Sequence, residues 1–259
     1  MSVSSALRIF AAGWLMNMKS MLRSSLFVFT SLLEPLIMAT IAFYTAKAGG
    51  RPEALFYLAI GAGVMGIWSS TLFGSGGVIS WQRWEGTLEL LVASPPPLLV
   101  IVVPLTIATA SIGIYSLAAT LLWGRFLFGI PFHLAHPFLF VIGLPIAVVA
   151  MGLLGLLIAS TFVLYREANA LSNMLEFPIA LVTGLLFATS LLPGWSRPIG
   201  WLLAPTWSVR VIREGALGGD PLLEIGMCIA LGAVYLVLAS YFLRVLEVRA
   251  RAKATLALA

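Results

Sequence analysis

The chain has 259 residues, of which 61% are hydrophobic and only 10% are charged, and its formal net charge is +5. Soluble domains carry about 25% charged residues, so this composition excludes a soluble globular protein. The basic residues are scattered at the ends of apolar runs, which favours membrane orientation over a nucleic-acid-binding surface. The apolar runs are long, unlike the alternating segments of about ten residues in membrane barrels. The sequence therefore predicts an all-α integral membrane protein.

Residues 5–22 form an amphipathic segment ahead of the first apolar run. Its apolar side chains recur at helical spacing: Leu7, Phe10, Ala11, Trp14, Leu15, Met18 and Leu22. Its polar side chains lie elsewhere on the helix: Arg8, Asn17, Lys19 and Ser20. No small-residue cleavage site follows a short apolar core, so we do not expect a signal peptide. The pattern predicts an interfacial helix in the membrane plane, with a helix packed on the chain's own cytosolic surface as the alternative.

The first predicted span covers residues 24–46 and is interrupted by Glu34 and Pro35. At 1.5 Å per residue, Glu34 lies about 16 Å along the helix from Arg23. An ionisable residue at this depth is costly and suggests a place at a conduit or a subunit interface. The alternative is a protonated or hydrogen-bonded carboxyl that closes the helix irregularity at Pro35. Both interpretations stay open.

Five further spans are predicted from the remaining apolar runs, at residues 54–78, 98–122, 138–164, 169–191 and 223–243. We expect the glycine-rich residues 74–77 to end or loosen the second span. Glu176, near the start of the fifth, is expected at the cytoplasmic boundary and is a second candidate for a conduit or interface. His133 and His136 have no third ligand nearby, so no metal site is predicted. Cys228 lies within the last apolar run and is predicted to be a packing residue.

Residues 192–218 are apolar but too rich in proline to span the membrane. Thr206 is expected to cap a short helix that carries Trp207, Arg210, Arg213 and Glu214. Two short aromatic helices before a last span predict re-entrant or interfacial pieces with tryptophan at headgroup depth. A solvent-exposed loop with anchoring tryptophans is the alternative.

Six spans put both termini on the same side of the membrane. If that side is the cytoplasm, nine of the fifteen basic residues lie inside, which is the orientation that the positive-inside rule favours. We therefore predict a multi-pass protein of the cytoplasmic (inner) membrane with both termini cytoplasmic.

A short charged island, residues 80–94, lies where two long apolar runs meet. Residues 54–82 and residues 90–124 contain no Asp, Glu, Lys or Arg. On this island Trp84, Leu88 and Leu91 fall on one helical face at i, i+4 and i+7. Prolines 95–97 stop the helix. A charged segment between two spans lies at a water-facing surface, where it can contact a soluble partner. A helix lying on the lipid surface is the alternative.

This segment resembles the signature of ABC type-2 transporter permeases, the membrane subunits of many ATP-driven exporters, at Gly86, Thr87, Leu88, Glu89, Leu91, Ser94 and Pro95. In that family the segment is the cytoplasmic coupling helix, which docks into a groove of a separate ATPase subunit. The resemblance implies that the face of Trp84, Leu88 and Leu91 fills this groove. It also implies that Glu85 and Glu89 meet basic residues of the ATPase and that Gly86 allows close backbone approach. The family usually has acidic residues where this chain has Gln82 and Trp84.

The resemblance recurs at the two ends of the chain. The family also begins with an interfacial helix. It also has a Pro-Gly-Trp turn, an apolar helix, a Pro-Thr pair and an arginine-bearing helix before the final span. In the family these helices close the outer end of the transport path, which implies an outer gate at Pro193, Trp195, Trp201 and Trp207.

The resemblance implies the permease subunit of an ABC exporter that moves a hydrophobic or amphipathic substrate, such as a drug, a lipid or a lipid-linked compound. The implied partners are two copies of an ABC ATPase and a second permease, identical or paralogous. No lysine follows a glycine anywhere, so the chain has no P-loop, and ATP and Mg²⁺ are expected on the ATPase. The chain itself is expected to be no enzyme and to hold no cofactor. The alternatives are an ion- or proton-coupled secondary transporter using Glu34 and Glu176, and a membrane scaffold without transport.

Overall fold

The computed structural model describes residues 3–50, 54–84, 86, 94, 96–130, 134–162, 168–186, 189 and 192–253. Within these residues the chain is all-helical, as predicted, and no strand is present. The helices are α1 (Val3–Arg23), α2 (Ser25–Ala48), α3 (Leu55–Trp84), α4 (Leu98–Phe128), α5 (Pro137–Phe162), α6 (Ala168–Val182), α7 (Ser196–Trp201), α8 (Ala204–Leu217) and α9 (Leu222–Lys253).

Helix α3 is the centre of the bundle and packs against α2, α4, α5, α6 and α8. In its most apolar stretch 78% of the residues are buried, whereas 22% are buried in that of α9, which lies at the periphery. Helix α3 contributes Ile60, Val64, Met65, Trp68 and Leu72 to the largest apolar cluster. Because α3 meets so many neighbours, a polar group on its surface can bridge several helices at once.

Glycines allow α3 and α4 to approach closely. A Cβ atom at Gly63 would overlap Leu117 of α4, and one at Gly66 would overlap Ser116. In the opposite direction, a Cβ atom at Gly113 would overlap Ile67 of α3. Lipid tails are as apolar as the helices, so helix association in a membrane depends on close packing of this kind.

Four of the described helical stretches are long and apolar enough to cross a membrane, at Leu55–Ser75, Leu98–Phe128, Pro137–Thr161 and Leu222–Val248. They coincide with the second, third, fourth and sixth predicted spans. The apolar stretch of the second span ends at Ser75, within the glycine-rich residues 74–77, but the helix itself continues to Trp84. Gly74 packs directly against Thr109 of α4, so this glycine serves helix packing rather than helix termination.

Helix α6 is shorter than the fifth predicted span, which was expected to reach residue 191. It ends at Val182 after 15 residues, or about 22 Å. Gly184 follows with a φ of 79°, in the left-handed region that commonly ends helices. The prediction placed the end too late because residues 183–191 are as apolar as the helix itself.

The turn between α7 and α8 is held by α9 rather than by a threonine cap. Helix α8 begins at Ala204, so the expectation that Thr206 caps it is wrong, and the Thr206 hydroxyl donates instead to the Gly200 carbonyl at 2.6 Å. The hydroxyl of Tyr235 on α9 accepts from the Ala204 N–H at 3.0 Å and donates to the Leu202 carbonyl at 2.6 Å. A single side chain thus satisfies both backbone groups of the turn.

Cys228 on α9 is fully buried in the largest apolar cluster. Its sulfur lies 3.9 Å from the Ser208 hydroxyl of α8. The prediction that it is a packing residue is confirmed.

Candidate functional site

Two buried polar groups stand out in the interior of the bundle, and the first is a pair of carboxyls. Glu34 on α2 and Glu176 on α6 lie close enough for their carboxyls to interact. Helix α3 supports the pair, since the Ser69 hydroxyl donates to the Glu176 carboxyl and the Trp68 indole N–H donates to the Glu176 carbonyl at 3.2 Å. Glu176 is only 4% exposed, whereas Glu34 is partly exposed. The structure therefore brings together the two candidates that the sequence placed in separate spans.

Glu176 was expected at the cytoplasmic boundary. In the structure it is the ninth of 15 residues in α6 and lies beside Glu34, the tenth residue of α2. Two carboxylates that share one site repel each other, so the pair favours a shared proton. In the part of the chain that is described, no three His, Cys, Asp or Glu side chains group closely enough to hold a metal ion.

The second buried polar group is the guanidinium of Arg213 on α8, which is 5% exposed. It donates to the Tyr57 hydroxyl at 2.8 Å and to the carbonyls of Gly184 at 2.9 Å and Leu185 at 3.1 Å. It also lies over the Tyr57 ring, 3.6 Å from its centroid. Burial lowers the pKa of Arg213 to about 10, so the side chain stays charged at neutral pH. Arg213 thus joins α8, α3 and the end of α6.

Sequence reasoning missed Arg213, although a signal was present. Val209, Ile212, Arg213 and Ala216 fall at i, i+3, i+4 and i+7 and are all buried, so the arginine lies in the apolar stripe of an amphipathic helix. Arg210 lies off this stripe, and its guanidinium lies over the Trp207 ring, 5.3 Å from the centroid. A cation within an apolar stripe indicates a buried partner, which the sequence alone did not identify.

Two of the four predicted gate residues, Trp201 and Trp207, meet in the structure. Trp207 is buried and donates its indole N–H to the Trp201 carbonyl at 2.9 Å, and the two rings are 6.4 Å apart. Trp195 and Trp201 are exposed, with 68% and 59% of their surface accessible, as expected of anchoring tryptophans. The Pro193 carbonyl accepts from the Ser196 backbone N–H and hydroxyl and so begins α7.

Helix α1 lies across the first part of α4. The Asn17 amide donates to the Leu105 carbonyl at 2.9 Å, and the Trp14 indole donates to the Ser111 hydroxyl at 3.2 Å. Asn17 is thus turned towards the protein rather than towards water. Two other faces of α1 are exposed, one apolar, with Leu7, Leu15 and Leu22, and one basic, with Arg8, Lys19 and Arg23. Helix α1 thus has one face that packs on the protein, one exposed apolar face and one exposed basic face, and its place in the membrane interface stays a prediction.

The ends of α3 and α4 extend beyond α1. Leu105, which Asn17 contacts, is seven residues after Leu98 at the start of α4, or about 10 Å along the helix. Gly74, beside which the Met21 methyl lies, is ten residues before the end of α3, or about 15 Å. The described ends of α3 and α4 therefore extend past these contacts with α1.

The predicted coupling residues lie in the connection between α3 and α4. Trp84 is the last residue of α3. Gly86 is exposed in a turn with a φ of 69°, and a Cβ atom there would meet nothing within 4 Å, so this position needs glycine for its backbone conformation. Glu85, Thr87, Leu88, Glu89 and Leu91 lie outside the described residues.

Comparison with known families decides which family the chain represents. Residues 9–217, from α1 to the end of α8, match the family model described as ABC-2 type transporter. The chain belongs to this family. The resemblance noted in the sequence is therefore confirmed, and the match includes the carboxyl pair, Arg213, the predicted gate residues and the segment between α3 and α4. A comparison with curated proteins gave no match.

Membership identifies the chain as a permease, the membrane component of an ABC transporter, rather than a nucleotide-binding domain. Together with its apolar helices, it makes the chain a multi-pass membrane protein. Helix α9 lies beyond the matched residues, yet it packs against α5 and α8 of the ABC-2 domain.

Proposed function

We propose that this ABC-2 permease is the membrane subunit of an exporter that moves a hydrophobic or amphipathic substrate, such as a drug, a lipid or a lipid-linked compound. ATP is hydrolysed on separate ATPase subunits, which also hold the Mg²⁺. The observation that carries the proposal is the extension of α3 and α4 beyond the interfacial helix α1. The ends of α3 and α4 lie about 10–15 Å past their contacts with α1, measured along each helix. The connection between them would then reach the water phase, where a soluble ATPase can bind it.

The proposed coupling is mechanical. Nucleotide binding closes two ATPase subunits, and residues 82–93 of each permease move with them. The apolar face of Trp84, Leu88 and Leu91 fills a groove in the ATPase, and Glu85 and Glu89 meet basic residues. Because α3 runs from this contact through the centre of the bundle, it transmits the displacement to every helix that packs on it. Coupling requires the inward- and outward-facing states to differ in how they bind the ATPase and the substrate.

We further propose that two permeases pair across the exposed face of α2. This face carries an unbroken stripe of exposed apolar side chains at helical spacing, namely Phe29, Leu33, Ile37, Ile41 and Tyr44. Glu34 adjoins this stripe and is partly exposed. An ionisable side chain that faces lipid is costly, whereas a second permease or the conduit between two permeases would shelter it. The partner is a second copy of this chain or a paralogous permease.

The proposed topology has six crossings of the cytoplasmic (inner) membrane, with both termini in the cytoplasm. Helices α2 and α6 supply the two crossings beyond the four long apolar helices. Helix α6 covers only about 22 Å, so residues on either side of it complete the crossing. The region of α7 and α8, residues 192–218, is the re-entrant outer end, and the exposed Trp195 and Trp201 anchor it at headgroup depth.

One observation favours a second candidate function. The proton held between Glu34 and Glu176 is what a proton-coupled secondary transporter would use, with the pair taking up and releasing a proton as the chain changes conformation. This candidate requires neither ATP nor a second polypeptide. The exporter requires both.

Purification of the tagged full-length chain from its native host in mild detergent tests the proposed function. An ATPase is expected to co-purify with the parent chain and to be lost with Leu88→Asp/Leu91→Asp. The matched control is Leu222→Asp/Leu223→Asp, the same double substitution at exposed positions at the start of α9, which is expected to retain the ATPase. A parent chain that purifies alone and moves solute under a proton gradient would support the second candidate instead.

A further inference from the structure

The C-terminal end of α6 lies inside the protein, where it needs a partner for its carbonyls. The last carbonyls of a helix have no hydrogen-bond donor within the helix, and a buried end needs donors from elsewhere. The turn after Val182 supplies three N–H groups: Thr183 donates to the Ile179 carbonyl at 3.0 Å, and Gly184 and Leu185 donate to the carbonyls of Leu181 and Ala180, both at 3.3 Å. The carbonyls of Gly184 and Leu185 themselves then point at Arg213.

A cation suits this place, because the C-terminal end of a helix carries partial negative charge. The described hydrogen-bond partners of Arg213 are all neutral, so its charge is matched by carbonyl dipoles and by the Tyr57 ring. The two terminal nitrogens of the guanidinium donate to these three acceptors while its plane covers the Tyr57 ring, and the Nε–H has no described partner. Lysine carries its three donors on one nitrogen, so it cannot donate from both of these positions or cover the ring with a planar group.

Helix α3 leaves space for the contact between Arg213 and the turn after α6. A Cβ atom at Gly61 would overlap both the Leu185 carbonyl and the Arg213 guanidinium. Tyr57 lies one turn before Gly61 on the same face of α3. The glycine therefore makes the space that the turn and the guanidinium fill, and the tyrosine holds the guanidinium there.

We propose that Arg213 is a positioning residue that fixes the outer end of α6, and with it the closed outer end of the transport path. This rests on the proposed function, in which α6 carries Glu176 at the path. Glu176 is tied to α3 by Trp68 and Ser69, and Arg213 ties the outer end of the same helix to α3 and α8. Without Arg213 the carbonyls after Val182 lose their donors, and the turn moves outward to reach water.

Cysteine accessibility tests the proposal in the full-length chain. In a Cys228→Ser background, Thr183→Cys places a thiol in the turn, where the native side chain is 1% exposed. A membrane-impermeant maleimide added to intact cells, and separately to inverted membranes, reports which side reaches this thiol. Adding Arg213→Gln is expected to raise the labelling rate from outside at least about tenfold, which is the equivalent of one lost charge-assisted hydrogen bond.

Matched variants distinguish a specific effect on the turn after α6 from a general loosening of the protein. Arg210→Gln removes the same charge three residues earlier on the same helix. It is expected to leave labelling within about twofold of the parent, because the guanidinium of Arg210 lies over the Trp207 ring, 5.3 Å from its centroid, and not against the turn after α6. Arg213→Lys is expected to behave like Arg213→Gln. Tyr57→Phe, which keeps the ring and removes one acceptor, is expected to give a smaller increase and serves if Arg213→Gln does not fold. A thiol at the fully buried Ala39 of α2, which belongs to a separate apolar cluster with Ala59 and Ala62 of α3, is expected to stay unlabelled throughout.

Unchanged labelling in a folded Arg213→Gln chain, or equal increases at residues 39 and 183, would overturn the proposal. So would labelling that lysine restores to the parent rate. The readout requires no ATPase, so it is independent of the pull-down. If no ATPase co-purifies but labelling rises as expected, the role of Arg213 stands and the exporter is wrong.

Discussion

Glu176→Leu is the substitution that tests the buried carboxyl pair most directly. Leucine is close to glutamate in volume, so packing changes little, but the Ser69 hydroxyl loses its acceptor and the Glu34 carboxyl loses its partner. A buried polar group without a partner costs about 1–3 kcal/mol. Ser69 is 6% exposed and bears this cost in full, whereas the partly exposed Glu34 bears a fraction of it. Burial of the leucine side chain recovers roughly 1 kcal/mol.

The net expectation is a loss of about 2 kcal/mol in the free energy of unfolding, or roughly 4–8 °C in the melting temperature of a chain of this size. Glu176→Gln keeps an acceptor for Ser69 and gains a donor for Glu34, so it is expected to lie within about 1 kcal/mol of the parent. Thermal unfolding in one detergent compares the variants.

A double-mutant cycle sharpens the test. Removal of both partners of a buried hydrogen bond is nearly neutral, so Ser69→Ala/Glu176→Leu is expected to recover at least about 1 kcal/mol over Glu176→Leu alone. If Glu176→Leu unfolds at the same temperature as Glu176→Gln, or if the two single effects simply add, the pair is not held as described.

Three further outcomes are expected. Gly66→Leu, which drives a side chain into α4, should cost more than about 2 kcal/mol, whereas Gly226→Leu, where a Cβ atom meets nothing within 4 Å, should be nearly neutral in the same unfolding assay. Gly86→Ala should strain a left-handed turn by about 1 kcal/mol and reduce co-purified ATPase, while Gly86→Asn should reduce it less; equal recovery would contradict the role of the turn. Asn17→Leu should release α1 from a carbonyl of α4 and speed proteolysis near the N-terminus, and an unchanged rate would show that this bond does not hold α1.

Long apolar runs made most of the helices predictable. Helix α2 starts within one residue of the predicted first span, and α1 within two of the predicted interfacial helix, because polar residues mark their ends. The end of α6 was not predictable in the same way. There the helix ends within an apolar stretch, two residues before Gly184, and a buried arginine donates to carbonyls of the turn that follows.

Some features of the candidate sites were likewise predictable from the sequence, and others were not. Local spacing identified the segment between α3 and α4 and the tryptophan-bearing region of α7 and α8 as candidates. It could not pair Glu34 with Glu176, which are 142 residues apart and meet because α2 and α6 pack on the same central helix. Spacing places Arg213 rather than Arg210 in the apolar stripe of α8, but it could not identify Tyr57 and the turn after α6 as the partners of Arg213.

The hydrogen bonds of Tyr235 have a consequence for the order in which the protein assembles. Helix α9 follows α7 and α8 in the chain, so during synthesis the turn at residues 202–204 is made before the side chain that satisfies it. Until α9 has been inserted and docked, two backbone groups of this turn lack their partner. Helix α9 thus completes a turn that precedes it in the chain. A failure of α9 to dock would leave the Ala204 N–H and the Leu202 carbonyl without the Tyr235 hydroxyl, a local defect that lies outside α9 itself.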